Sequence, residues 1–370
     1  MGQQYEFMVR VNCMTFNHSA YINDALDGFC MQETTFPFVC TIVDDASTDG
    51  EQKVINSYLR EHFDLEDNAV VRMEETDDYY LTYAQHKTNR NCFFVVLLLK
   101  YNHYSIKKAK SVYFSEWNDS AKYVAICEGD DYWISKNKLQ DQVLFMENNL
   151  EYSMCFGDAI YYDSDKKHSK GSINRLFRKD NILLERYEGK DLFYRIVLGK
   201  AHIQTLTVLY RKECFDRRIH NNRGFMMGDT PLWLDLSQTG RVKYIDTIMG
   251  VYNIHQGSAT HNPLIKTRFS LSMYEMRCYY CEKFGYEIPK YIKKKYNNAY
   301  LNSIIVNQKG PADPLYGLFR INAIQYYVDS LILRNSFCNK CYSALYPLKR
   351  KISVSLIRIG MLIKVVKNSV

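Results

Sequence analysis

The sequence predicts an α/β protein with a doubly wound sheet, and three observations carry that reading. Apolar, β-branched runs alternate with segments of helical periodicity, in βαβαβ order over about the first 75 residues. Two of the strand-like runs, 38–43 and 123–126, stop at clusters of carboxylates. The longest apolar run, 93–99, is far too short to span a bilayer and reads as a buried strand. In an open parallel sheet, ligands sit beyond the carboxyl ends of the strands. Two strands that both end in acids therefore predict a site there.

Each element rests on local pattern. Phe7-Met8-Val9-Arg10-Val11-Asn12-Cys13-Met14 reads as the first strand, followed by the loop Thr15-Phe16-Asn17-His18-Ser19. Ser19 or Asn17 is the expected cap of a helix with Tyr21, Ile22, Ala25, Leu26 and Phe29 at helical spacing. The second strand, 38–43, precedes a helix over about 51–62, for which Asp49 or Ser47 is the expected cap. Residues 69–73 read as a third, short strand, and the polar stretch 74–91 as a loop. The strand at 93–99 is followed by a helical stretch ending near Trp117-Asn118-Asp119 and by the strand 123–126. Ser135 is the expected cap of a helix with Leu139, Val143 and Met146 on one face. From 155 to 210 short strands and helices alternate, helix then strand recurs over 224–250, and beyond 262 the chain becomes mainly helical and basic.

A length of 370 residues suggests about two domains. The expected division is 1–260 for a ligand-binding domain, 261–345 for a helical extension and 346–370 for a basic amphipathic tail. The formal net charge of +7 suits phosphate-bearing ligands or an anionic surface and does not argue for nucleic acid. Eleven cysteines, an odd number without a disulfide-like framework, suggest reduced thiols and a cytoplasmic setting. The start of the chain lacks the pattern of a signal peptide. Cys278-x-x-Cys281 and Cys338-x-x-Cys341 read as helical core thiols rather than zinc ligands, because neither pair has turn glycines.

The acidic strand ends carry the chemistry. In Cys127-Glu128-Gly129-Asp130-Asp131-Tyr132-Trp133, three carboxylates crowd the point where a core strand leaves the sheet. Like charges so close raise each other's pKa unless something positive sits among them, and a hard divalent cation such as Mn²⁺ or Mg²⁺ takes carboxylate oxygen. Gly129 is expected to permit a bend between Glu128 and Asp130. Upstream, Asp44-Asp45-Ala46-Ser47-Thr48-Asp49-Gly50 forms the second acidic strand end, and Asp44 and Asp45 come too early to cap the next helix. No Gly-x-Gly-x-x-Gly or Walker loop comes after the first strand, which excludes the dinucleotide-binding and P-loop classes at their defining positions.

These motifs, in this order over roughly residues 5–260, resemble glycosyltransferase family 2 with its glycosyltransferase-A fold. Asn12 to Asn17, then Tyr21-Ile22 and Ala25-Leu26, look like that family's first strand, nucleotide loop and helix, with Met14 in place of a common proline and Phe16 of a tyrosine. The segment 42–50 looks like its nucleotide-binding strand end, with Ala46 where glycine is usual. The resemblance thus implies nucleotide-sugar contacts from Thr15, Phe16, Asn17, Asp44, Asp45, Glu128 and Gly129. It implies metal binding by Asp130, at the last position of a DxD-like motif whose first place holds Glu128. It also implies metal binding by His255, two residues after Asn253, where an arginine is common. Asp229, in Gly228-Asp229-Thr230-Pro231-Leu232-Trp233, is the implied catalytic base.

The activity implied by the resemblance is that of an inverting, Mn²⁺- or Mg²⁺-dependent enzyme. Such a transferase moves a sugar from a nucleoside diphosphate to a glycan or lipid-linked acceptor in cell-surface polysaccharide synthesis. The Gln-x-x-Arg-Trp signature of processive polymerases is missing, which favours addition of a single sugar. The alternatives are a sugar-phosphate nucleotidyltransferase, which normally carries a glycine-rich loop after the first strand, and a non-catalytic nucleotide- or glycan-binding protein of the same fold. The tail places Ile352, Leu356, Ile359, Ile363 and Val366 on one face after Lys349-Arg350-Lys351. Two readings stay open for it, a peripheral membrane contact at the cytoplasmic face and a helix packed on its own protein.

Overall fold

The computed structural model describes residues 5–66, 71–172, 177–215, 224–255 and 263–307. The tail at 346–370 and Cys338-x-x-Cys341 lie outside the described residues. The chain divides into two compact units, 1–220 with 232–256 and 221–231 with 257–370. The segment 221–231, which holds Asp229, groups with the second unit.

The first unit is a mixed α/β structure around one sheet. Its strands are β1 (Phe7–Thr15), β2 (Phe38–Asp44), β3 (Arg72–Glu75), β4 (Tyr79–Gln85), β5 (Cys92–Leu99), β6 (Ala121–Ile126), β7 (Tyr132–Trp133), β8 (Tyr152–Asp163), β9 (His168–Ser172), β10 (Leu209–Arg211) and β11 (Arg241–Ile254). They lie in the order β3-β4-β5-β2-β1-β6-β10-β8-β11-β7, with β9 beside β8. Strands β5, β2, β1 and β6 are mutually parallel, so their carboxyl ends share one edge. Strand β10 is antiparallel to both β6 and β8, and β11 returns parallel to β8.

Side-chain alternation explains why β2 and β5 are apolar along most of their length. Phe38, Cys40 and Ile42 of β2 and Phe94, Val96 and Leu98 of β5 enter one core cluster. Their neighbours Val39, Val43, Val95 and Leu97 enter the cluster on the opposite face. The helices α1 (Ile22–Cys30), α2 (Glu51–His62) and α4 (Lys138–Asn148) bring Phe29, Leu59 and Val143 to the first face. The second face takes Trp117 from α3 (Ser115–Asp119), with Phe114 just before it. The unit also contains α5 (Arg178–Ile182), α6 (Gly189–Val197) and most of α7 (Asp229–Leu236).

In the second unit, α8 (Pro263–Lys283) packs on α9 (Lys290–Asn307). Cys278 and Cys281 are free, buried thiols on α8. No helix among the described residues is long and apolar enough to cross a membrane.

Three expectations need correction. The stretch 74–91 is not a loop, because β4 runs through it, antiparallel to both β3 and β5. Its tyrosines and Thr82 are strand formers, and Leu81 and Ala84 are buried, a pattern that the polar flanks obscure. The third strand begins at Arg72 and lies outermost, on the far side of β4, so the parallel neighbour of β2 is β5 rather than β3. Finally, neither α1 nor α4 has a side-chain cap. The His18 carbonyl accepts from Tyr21 and Ile22, the Ser135 carbonyl accepts from Lys138, and the side chain of Asn17 is spent on the next loop.

A buried lysine makes the stability of this unit depend on pH. Lys138 is 1 % exposed, its Nζ donates to Gln142 Oε1 at 2.7 Å and lies 4.2 Å from the centre of the Trp133 ring, and burial pushes its pKa down to about 7. Between that value and the ordinary one near 10.5, the unfolded chain binds a proton that the folded chain does not, so stability falls as pH drops from 10 to 7. Lys138→Met is expected to melt higher than the parent at pH 7, with the gain shrinking towards pH 10. The relief is on the order of a few kcal/mol, less about 1–3 kcal/mol for leaving Gln142 Oε1 without its donor. Scanning calorimetry at both pH values checks this; a lower melting temperature at both would show that the ammonium is stabilised where it sits.

Candidate active site

Four segments converge at the carboxyl edge of the parallel strands. In the register, Thr15 lies opposite Asp44 and Asn12 opposite Ile126, so the loops after β1, β2 and β6 leave the sheet side by side. The end of β11 supplies the fourth segment.

The loops after β1 and β2 are stitched together by hydrogen bonds. Ser47 Oγ accepts from Asn17 N at 2.9 Å, Asn17 Oδ1 accepts from Thr48 N at 2.8 Å, and Asp49 Oδ2 accepts from Ser19 N at 2.9 Å. Asp49 Oδ1 also takes Glu51 N at 3.1 Å, which assigns the expected first-turn role at α2 to Asp49. Ala46 has φ 61°, a left-handed conformation that costs a non-glycine residue roughly 1–2 kcal/mol. That accounts for the glycine usual at this place in the resembling family.

Buried within this junction is Glu51, which sequence reading passes over as a helix-start acid. Its Oε2 accepts from His18 N at 2.9 Å and Ser47 Oγ at 2.8 Å, and its Oε1 accepts from Thr15 Oγ1. Burial, with the Asp44 charge adding to it, outweighs those three donors and raises its pKa.

Asp44 and Asp45 are both buried and have different neighbours. Asp44 Oδ1 accepts from Gln52 Nε2 at 2.6 Å and from Ser47 N at 3.1 Å, while its Oδ2 is buried without a partner among the described residues. Asp45 takes the amides of His103 and Tyr104 at 2.8 and 3.1 Å and the Lys110 ammonium at 2.7 Å. Its carboxylate thus fastens the segment after β5 to the strand edge.

The acidic turn after β6 is held from below by its own aromatic residue. Trp133 is fully buried, packs edge-on against Phe29 at 5.0 Å and donates from Nε1 to Leu206 O at 2.7 Å. Strand β7 pairs Tyr132 and Trp133 with Val251 and Gly250 of β11. This pairing carries the end of β11 up beside the turn, where Asp131 Oδ1 accepts from Asn253 N at 2.9 Å. Gly129 lies in the expected bend, a turn closed by Asp131 N donating to Glu128 O at 3.2 Å, without adopting a left-handed conformation. It is small because a Cβ there would stand 2.2 Å from Thr15 Oγ1.

Around Asp130 the ligating groups gather. Glu128, Asp130 and Asp131 can place one carboxylate oxygen each within 4.8 Å of one another, as can Asp130 with a ring nitrogen of His18 and of His255. Asp130 Oδ2 lies 3.1 Å from His255 Nε2 and 3.7 Å from His18 Nε2. Partial burial opposes charge on Asp130, but the His255 hydrogen bond and the nearby His18 ring outweigh it and hold its carboxyl below the ordinary range. The opposite holds at Asp131, which burial and then the charge on Asp130 push well up. The pair of neighbouring acids is therefore split into an ionised, partly buried group and a fully buried one that resists ionisation. The donor set of carboxylate oxygens and imidazole nitrogens fits a divalent cation.

Of the residues singled out from the sequence, Asp130, His255 and exposed Glu128 meet in this cluster, and Thr15, with Gly129 packed on it, reaches it through His18. Phe16 is 42 % exposed beside Asn17. Asp229, whose segment 221–231 groups with the second unit, opens α7, and its Oδ1 accepts from Thr230 N. Sequence reading missed His18, Glu51 and Lys110. His18 stands in the loop after β1, but nothing in one sequence marks a loop histidine as a ligand.

No family model matches the chain. It is 28% identical over 251 residues to the uncharacterized proteins Rv1520 of Mycobacterium tuberculosis and Mb1547 of Mycobacterium bovis, covering 67% of this chain and 59% of each relative. The matched region thus spans about three-fifths of those relatives. Among solved structures, similarity extends to S. aureus TarS 1-349 in complex with UDP, at 13% identity and TM-score 0.46 over 92% of this chain and 91% of that one. It extends also to the mannosyltransferase PcManGT from Pyrobaculum calidifontis in complex with GDP-Man and Mn²⁺, at 10% identity and TM-score 0.49 over 94% and 89%. These values are too low to carry the ligands of either protein over to this chain.

Proposed function

We propose that this chain is an inverting, metal-dependent transferase that moves one sugar from a nucleoside-diphosphate sugar to a glycan or lipid-linked acceptor. The observation that carries the reading is Asp130, an ionised carboxylate at the carboxyl edge of a parallel sheet, flanked by His255 and by two further carboxylates. The order of the motifs along the chain supports it. Asp130 and His255 would hold Mn²⁺ or Mg²⁺, which as a Lewis acid offsets the charge that builds on a leaving diphosphate. The loops of Thr15–Asn17 and Asp44–Asp45 would seat the nucleotide, and Glu128 at the rim would contact the donor's sugar side. Asp229 would take the acceptor hydroxyl's proton as that oxygen bonds to the anomeric carbon and the bond to the diphosphate breaks. Displacement in one step inverts the anomeric centre. The basic tail, 346–370, would bring such a site to a lipid-linked acceptor at an anionic surface.

A panel of UDP-, GDP- and dTDP-sugars screened by thermal shift, with and without Mn²⁺, tests the reading. One nucleotide class is expected to raise the melting temperature only when Mn²⁺ is present, by the equivalent of about 2.7 kcal/mol at a concentration 100 times its Kd. A panel in which no nucleotide sugar shifts the melting temperature, with or without the ion, would sink it.

A further inference from the structure

We propose that His18 is a third protein ligand of the metal at Asp130 and that Thr15 and Glu51 fix its ring in the ligating tautomer; this rests on the metal-dependent reading of the site. One hydrogen-bond chain sets the tautomer. The Thr15 hydroxyl has a single hydrogen, and it points to Glu51 Oε1. The same oxygen lies 3.2 Å from His18 Nδ1, so in that contact Thr15 Oγ1 accepts and Nδ1 carries the hydrogen. Neutral His18 then has its bare lone pair on Nε2, the nitrogen that lies 3.7 Å from Asp130 Oδ2. A lone pair facing a carboxylate oxygen is unfavourable unless a proton or a cation sits between them. His255 Nε2 lies 3.1 Å from that same oxygen, and all three ligand atoms fall within 4.8 Å of one another. Separations of this size suit ligands that each stand about 2.0–2.2 Å from one ion.

The surroundings are built to keep His18 in place. Its backbone N donates to Glu51 Oε2, which also takes Ser47 Oγ, so one buried carboxylate ties His18 to the loop after β2. Thr15 is 4 % exposed and has Gly129 against its hydroxyl, at the one place in the acidic turn where a Cβ would collide with it. The His18 and His255 rings meet edge to face at 5.9 Å, and Tyr21 lies against His255 at 4.7 Å. A carboxylate that orients a ligating histidine through its second nitrogen is a common outer-sphere arrangement, and here a threonine hydroxyl relays it. Two ring nitrogens with one carboxylate make a poor cage for Mg²⁺ and a better one for a transition ion. Thr15 and Glu51 are positioning residues in this scheme; His18 touches the metal.

The test is Mn²⁺ uptake by the full chain, read from the electron paramagnetic resonance signal of free Mn²⁺, with the metal alone and again with UDP or GDP. His18→Gln is expected to weaken Mn²⁺ binding at least about 10²-fold and Thr15→Val about 10-fold, while Thr15→Ser, which keeps the hydroxyl, stays near the parent value. Asp130→Asn serves as the control for the underlying site. Asp130→Asn losing Mn²⁺ while His18→Gln and Thr15→Val bind like the parent would overturn the assignment of His18 alone. Should Asp130→Asn bind normally, or the parent take up no Mn²⁺ in any arm, the metal-dependent reading itself fails and this inference with it. The Thr15 pair keeps the proposal exposed even if His18→Gln does not fold, because Val and Ser behaving alike would remove the relay.

Discussion

Asp130→Asn is expected to abolish Mn²⁺-dependent binding of the nucleoside diphosphate, a loss of at least about 10²-fold, while the fold survives. The asparagine amide keeps the shape of the carboxylate and removes the charge on which the site depends. The fold should tolerate the change for a reason visible in the neighbouring group. Asp131 is buried, and the charge on Asp130 is part of what pushes its pKa up, so neutralising Asp130 relieves that strain even as it weakens the contact with His255. The two effects oppose each other, and the melting temperature should move by no more than about 2–4 °C, the equivalent of about 1 kcal/mol. Calorimetric titration of the nucleoside diphosphate with and without Mn²⁺ decides it. Unchanged metal-dependent affinity would reduce the three carboxylates to a turn whose charges are balanced by histidine and solvent.

Much of the fold was legible because the central strands are long runs of one chemistry. Strands β2 and β5 carry apolar side chains on both faces, β1 and β6 carry apolar runs, and α1 and α4 carry apolar residues at helical spacing, so pattern alone located them. Strand β4 escaped because only Leu81 and Ala84 of it are buried, one on each face of the sheet, and its other residues are polar or tyrosine, a composition shared with loops. The helix starts were misread for another reason. Asn17 has the right chemistry for capping, but its side-chain oxygen accepts from Thr48 N thirty-one residues away, and no local rule foresees a long-range competitor.

The site divides in the same way. The carboxylates after β2 and β6 could be found because charge at the end of a buried strand is costly and therefore informative. The role of Trp133 could not, since only the pairing of β7 with β11 shows that it anchors the turn and draws His255 towards Asp130. Gly129 was noticed for its flexibility and matters for its size. Glu51 and His18 are invisible to pattern reading, because their importance lies in three donors converging across two loops that are more than thirty residues apart in the chain.

Asp229→Asn is expected to cut kcat by a factor of at least about 10² and to leave donor affinity near normal. The residue starts α7, and its Oδ1 accepts from both the backbone and the hydroxyl of Thr230, so a role in ordering the first turn competes with the role of base. Asparagine separates the two roles. Its side-chain oxygen accepts the same hydrogen bonds, and Asn equals Asp as a residue for helix starts, so the local structure should persist. What asparagine cannot do is take a proton from an acceptor hydroxyl. A lower kcat at unchanged donor Kd and unchanged melting temperature therefore reports the chemical step. Steady-state kinetics with the donor identified by the thermal-shift panel, alongside calorimetry of donor binding, gives both quantities on the same preparation. Parallel loss of donor affinity would move Asp229 into the nucleotide site, and near-normal turnover would return it to ordering the start of α7, leaving the base to be sought elsewhere.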